Sequence, residues 1–168
     1  MNKFKVPLRE EVSSNNQVIF DQLQKALGFV PNLYATYANS DTALENYMSF
    51  ANAKTSLSAR EKEVINLVVS QVNECNYCLS AHTTISKING FTETQILEIR
   101  SGKTSFDKKF DALARFVKNL TKNRGRASEE VLEKLFSAGY SKGSIMDIIL
   151  LVGEKTISNY IHNTTQDP

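Results

Sequence analysis

Start signals for α-helices recur along this chain. Each is followed by apolar residues at helical spacing and then by a glycine or a polar stop. The clearest is Ser58-x-x-Glu61, a capping box in which each side chain takes the other residue's free backbone N–H. Val64, Ile65, Leu67, Val68, Val69 and Val72 follow it, apolar around most of a helix, which predicts a central buried helix. Upstream, Ser14 and Gln17 read as a capping box ahead of Val18, Ile19, Leu23 and Leu27, with a stop at Gly28. Pro31 turns the chain into a short helix from Leu33 to Ala38, and Asp41 is expected to cap a helix running to about Ala53. After a break at Asn73-Glu74, a helix from Cys78 to Ile88 ends at Gly90, and Thr92 with Gln95 opens the next, closed by Gly102. Phe110, Leu113, Phe116, Val117 and Leu120 keep a 3.6-residue spacing through a helix from Phe106 to Asn123. Ser128 caps a helix to Ala138, and Ser141 caps a long final one to about Asn163. The β-branched residues of that last stretch favour a strand, but its length without turn residues favours a helix. The pattern predicts an all-α fold, a helical bundle of about eight or nine helices in a single domain over residues 1–168.

Charge and composition narrow the function. Lys and Arg number 20 against 18 Asp and Glu, a net +2, and the densest basic stretch, Lys118 to Arg126, reads as a solvated helix end and loop. The chain thus has no field suited to nucleic acid, and no partner of that kind is expected. Its longest apolar run, Ile148 to Val152, is far too short to cross a bilayer, and MNKFKVPLREEV at the start has no apolar signal region. The expectation is a cytoplasmic protein without a membrane partner. There are only 2 cysteines, Cys75 and Cys78, which is too few for a secreted disulfide framework. In a reducing compartment their C-x-x-C spacing points to redox chemistry or metal binding.

The informative segment is Asn73-Glu74-Cys75-Asn76-Tyr77-Cys78-Leu79-Ser80-Ala81-His82. Steps of three and four put Cys75, Cys78 and His82 on one helix face. A first cysteine at a helix entrance meets free N–H groups and the positive end of the dipole, which favour a thiolate. An imidazole one turn deeper can accept or return its proton. Three readings stay open: inert buried thiols, a metal site of Cys75, Cys78 and His82 completed by Glu63 or His162, and a redox-active pair. Structural zinc draws two ligand pairs from separate elements, and this chain has only two Cys and two His, so no metal is the expectation. A thioredoxin-like setting is disfavoured, because the residues before Cys75 are helical and not a strand. There is no nucleotide fingerprint, so no cofactor is expected.

The chain resembles the alkyl hydroperoxide reductase D (AhpD-like) and carboxymuconolactone decarboxylase superfamily, especially its peroxidase-related members. The matching pieces are Leu27-Gly28-Phe29-Val30-Pro31-Asn32-Leu33, Leu57-Ser58-Ala59-Arg60-Glu61-Lys62-Glu63, Cys75-x-x-Cys78-x-x-x-His82, Ala112-Leu113-Ala114-Arg115-Phe116, Ala138-Gly139-Tyr140 and Asn159-Tyr160-Ile161. The resemblance implies an AhpD-like helical bundle built around a helical hairpin, and a homo-oligomer such as a trimer or hexamer. It implies a thiol-dependent alkyl hydroperoxidase of antioxidant defence, with Cys78 attacking, Cys75 resolving, and Glu63 and His82 handling protons. Its substrate would be a hydroperoxide and its reductant an external dithiol protein. The other outcomes left open are a protein disulfide reductase without peroxidase activity and a non-enzymatic metal-binding protein. Two departures matter. Tyr77 stands where the best-known peroxidase of the family has a second relay histidine, and the cysteine pair is one that decarboxylases of the superfamily generally lack. The apolar stretches Val64 to Val72 and Ile145 to Val152 are core or subunit interface, and part of the C-terminal helix is expected to be interface.

Overall fold

A computed structural model describes residues 4–166. Among the described residues every regular element is helical: a 3-10 turn at Arg9–Glu11, then α1 (Ser14–Leu27), α2 (Asn32–Tyr37), α3 (Ala43–Ala51), α4 (Ala59–Val72), α5 (Asn76–Ile88), α6 (Glu93–Ser101), α7 (Lys108–Lys122), α8 (Glu129–Ser137) and α9 (Lys142–Thr165). They form two compact units, one of residues up to Lys54 with those from Tyr160 on, the other Thr55–Asn159.

In the first unit the helices are where the sequence places them, but two caps differ. The α1 cap is Ser13, not Ser14: Ser13 is extended and its hydroxyl accepts from the Asn16 N–H. Two serines in a row leave the choice to backbone angles, which periodicity does not reveal. At α3 the cap position falls on Thr42 and not on the expected Asp41, and Ser40 Oγ accepts from the backbone N–H groups of Thr42 (3.4 Å) and Ala43 (3.2 Å). Buried Asn16 donates to the carbonyls of Ala38 and Ser40, and Tyr37 stacks on Tyr47 with centroids 4.3 Å apart.

The second unit is organised around α4. Its capping box forms as read: the Glu61 carboxylate accepts from Ser58 N (2.8 Å) and Oγ (2.7 Å), and Ser58 Oγ accepts from Glu61 N. Val64, Ile65, Leu67 and Val69 are fully enclosed, and α5, α6 and α7 pack around the helix. Ile96 and Ile99 of α6, and Leu113, Phe116 and Val117 of α7, complete that core. Lys109 of α7 pairs with Glu61 at 2.9 Å, and the Arg60 guanidinium lies over Phe91 and Phe110. Burial raises the Glu61 pKa, but hydrogen bonds from Lys109, Ser58 and Tyr140 outweigh it and hold the carboxyl at about 2.

Other boundaries shift by a turn or less. α7 starts at Lys108 because Asp107 accepts from the N–H groups of Lys109 and Phe110. Ser128 sits at the α8 cap position without a side-chain capping bond. The last stretch is a helix of 24 residues, longer than expected. Its Met146, Ile149, Leu150 and Ile157 are exposed. Among the described residues no single helix is long and apolar enough to cross a membrane, and only α8 and α9 taken together across a 119° bend reach that length and composition.

Candidate active site

The site begins where α4 ends. Glu74 adopts a left-handed φ of 55°, and the carbonyls of Gln71 and Ser70 accept from Glu74 N (3.3 Å) and Cys75 N (3.0 Å). This crossed pair is the Schellman geometry, in which glycine is the usual residue at the left-handed position. Here a glutamate takes it, reversing the chain within two residues, so α5 folds back along α4. Cys75 is left directly at the mouth of α5 as its cap residue, and its sulfur accepts from Cys78 N at 3.4 Å. That cap starts α5 at Asn76, two residues earlier than the sequence pattern indicated.

Cys75 and Cys78 form a disulfide, with Cα atoms 5.3 Å apart. Both are buried, Cys75 at 0% and Cys78 at 3% relative exposure, so Cys78 is the slightly more exposed residue. His82 follows Cys78 by one turn, about 6 Å along the axis, and Cys75 by nearly two. An imidazole there serves Cys78 more directly than Cys75.

His82 Nδ1 lies 2.9 Å from Glu63 Oε2. Asn66 Nδ2 donates to Glu63 Oε1 at 3.0 Å, and Ser86 Oγ donates to Oε2 at 3.4 Å. A carboxylate can only accept, so the neutral ring carries its proton on Nδ1 and leaves the Nε2 lone pair available as a base. The hydrogen bonds of Glu63 go to His82, Asn66 and Ser86. Burial pushes the His82 pKa below its ordinary value, the hydrogen bond to Glu63 pulls it back up, and the charge of Lys155 pushes it down again.

Of the four residues singled out in the sequence, the structure pairs Cys75 with Cys78 and His82 with Glu63, and sets His82 one helical turn after Cys78. Tyr77 is half-buried between the two cysteines in sequence, and His162 lies in the last turn of α9. Among the described residues no group of three or more Cys, His, Asp or Glu side chains is placed to hold a metal ion. The sulfurs are bonded to each other, and His82 Nδ1 faces a carboxylate.

Sequence reasoning missed the part contributed by α9. Asn159 Nδ2 donates to Ser70 Oγ (3.2 Å), and Asn73 Nδ2 donates to Asn159 Oδ1 (3.0 Å). One turn earlier lie Glu154 and Lys155, 3.8 Å apart and only 6% and 7% exposed. The one available signal was a charged pair, four residues before an asparagine, following directly on an apolar helical run.

The model of the carboxymuconolactone decarboxylase family matches residues 39–118, which include Glu63, Cys75, Cys78 and His82. No curated protein matches the chain. Among solved structures, an uncharacterized peroxidase-related protein of Silicibacter sp. TM1040 shares the fold with a TM-score of 0.84 at 24% identity, over 99% of this chain and 89% of that one. A second peroxidase-related protein, described as an alkylhydroperoxidase AhpD core from Ralstonia eutropha JMP134, gives 0.87 at 22% identity over 99% and 90%. A variant of the debrominase Bmp8 in complex with 2,3,4-tribromopyrrole gives 0.80 at 17% identity over 100% and 92%. Residues 39–118 of the chain thus match the carboxymuconolactone decarboxylase family, within an all-helical fold that the chain shares with these solved structures.

Proposed function

We propose that the protein reduces hydroperoxides through its cysteine pair, as a thiol-dependent peroxidase regenerated by an external dithiol protein. The observation that carries this reading is the pair itself: two sulfurs within bonding reach at a helix mouth, with a base of fixed tautomer one turn below the second. In the reduced protein His82 Nε2 takes the proton of Cys78. The Cys78 thiolate attacks one oxygen of R–O–O–H, the S–O bond forming as the O–O bond breaks. The departing alkoxide takes the proton from the imidazolium and leaves as an alcohol. Cys78 is now a sulfenic acid. The Cys75 sulfur attacks it, closing the disulfide, and the hydroxyl leaves with the Cys75 proton as water. A dithiol then returns two electrons and two protons.

The first turn of α5 supports thiolate formation at both cysteines through its free N–H groups. The greater exposure of Cys78 and its place one turn before His82 support an attacking role for it and a resolving role for Cys75. The fold alone does not select the substrate, since one similar structure is a debrominase. The test is stopped-flow oxidation of the reduced protein by a panel of alkyl hydroperoxides, with 2,3,4-tribromopyrrole as comparator. Hydroperoxides should oxidise the wild type rapidly, and Cys78→Ser should be inert. Turnover by Cys78→Ser at the parental rate would overturn the assignment. The exposed Met146, Ile149, Leu150 and Ile157, spaced at three, one and seven residues along α9, support self-association as part of the same reading.

A further inference from the structure

Helices α4, α5 and α9 each present polar groups at two levels along the site. The level of the cysteines is defined by Ser70, whose carbonyl accepts from Cys75 N and whose hydroxyl accepts from Asn159, and by Asn73, which also bonds Asn159. One turn away on each helix is the second level: Asn66, with Glu63 one turn beyond it, on α4, His82 on α5, and Lys155 on α9. The first three are linked to one another through Glu63. Lys155 completes the level. Its ammonium is at 3.8 Å from Glu154, beyond hydrogen-bond distance, although the residue is only 7% exposed. A buried ammonium held this loosely acts on its surroundings mainly through its charge, and that action is strong where water is excluded.

We propose that Lys155 is a positioning residue of this site: a buried cation on α9 that keeps the His82 imidazole uncharged, so that Nε2 stays available as a base. The inference rests on the reading of His82 as the base for Cys78. Lys155 and Asn159 both lie outside residues 39–118, the span that the family model matches. The charged groups that act on His82 are Glu63 from α4 and Glu154 and Lys155 from α9. The two carboxylates favour the imidazolium and Lys155 opposes it, in concert with burial. Without Lys155, burial alone would oppose the two glutamates, and the ring would keep its proton to higher pH, where it cannot accept one from Cys78.

The experiment is an NMR titration of the imidazole, which needs no substrate, combined with the pH profile of thiol oxidation. The chain has only two histidines, so a His162→Gln background leaves the His82 signals alone. Lys155→Met should move the His82 titration to higher pH, and Lys155→Arg should leave it in place. Glu154→Gln removes a negative charge and should move it to lower pH, which tests the same claim if Lys155→Met does not fold. In the oxidation assay Lys155→Met should lose about threefold or more on the acid side of the profile and nothing at alkaline pH. A packing defect would instead lower the rate at every pH. A His82 titration unmoved in folded Lys155→Met, or in Glu154→Gln, overturns the proposal. Inert hydroperoxides with a shifted titration would overturn the peroxidase reading and leave the role of Lys155 standing.

Discussion

Replacing Glu63 by glutamine keeps the shape of the side chain and removes its charge. The glutamine oxygen can still accept from His82 Nδ1, which places its NH2 group opposite Asn66 Nδ2, donor against donor. Asn66 has the means to relieve this, because its Oδ1 is buried and unpartnered and comes into place when the amide turns over. The tautomer of His82 therefore survives, and what is lost is the charge assistance of one hydrogen bond. A bond to a charged group contributes about 1.5–3 kcal/mol and a neutral one about 0.5–1.5, a difference of about 1–1.5 kcal/mol. At about 1.4 kcal/mol per decade, single-turnover oxidation of the reduced protein should slow by roughly tenfold. The sign on the pH axis is also fixed. Glu63 favours the imidazolium, so its neutralisation moves the His82 titration, and with it the acid limb of the rate profile, to lower pH. This is opposite to the effect of Lys155→Met. Stopped-flow oxidation across about pH 5–8, with the His82 titration followed by NMR, reads both quantities. An unchanged rate with an unchanged titration would refute the idea that Glu63 acts through His82.

Two further expectations concern the molecule as a whole. Stability should depend on pH in two windows. His82 titrates below the ordinary imidazole value of 6.5 in the fold, so the unfolded chain binds that proton first, and stability falls as pH drops below about 6.5; His82→Gln should remove this slope from urea midpoints. Glu61 is held at about 2 against 4.5, so its contribution is complete above 4.5 and is lost as pH falls from there toward 2; Glu61→Gln should flatten that window and lower the midpoint throughout. Sedimentation at micromolar concentration should show an oligomer, and charged residues at Leu150 and Ile157 should reduce it to monomer; a monomeric parent would show that the apolar face of α9 is not used for self-association.

The helices were legible because their signals are local. Ser58 with Glu61, Thr92 with Gln95, and the stops at Gly28 and Gly102 lie within a few residues of the groups they satisfy, and all four are found as read. Cap identity was not legible where neighbours compete. Ser13 against Ser14, and Thr42 against Asp41, are decided by backbone angles. Of the candidate site, Cys75, Cys78 and His82 follow from helix spacing. The proton-handling role of Glu63 came only from the resemblance, because its link to His82 crosses 19 residues and depends on the reversal at Glu74. The contacts of Asn159, and Lys155 altogether, were out of reach. Their meaning comes from helices about 80 residues away, and a charged residue in an apolar helix reads equally well as its solvated face until burial is known.

The most direct measurement is a thiol count, with peptide mapping, on the reduced protein before and after one equivalent of an alkyl hydroperoxide. The account predicts that two thiols fall to none, that one alcohol is released, and that the disulfide maps to Cys75 and Cys78. In Cys75→Ser the reaction should stop at a sulfenic acid on Cys78. Two thiols still free after the peroxide, but oxidised at once by a protein disulfide, would contradict it and show a disulfide-exchange protein instead.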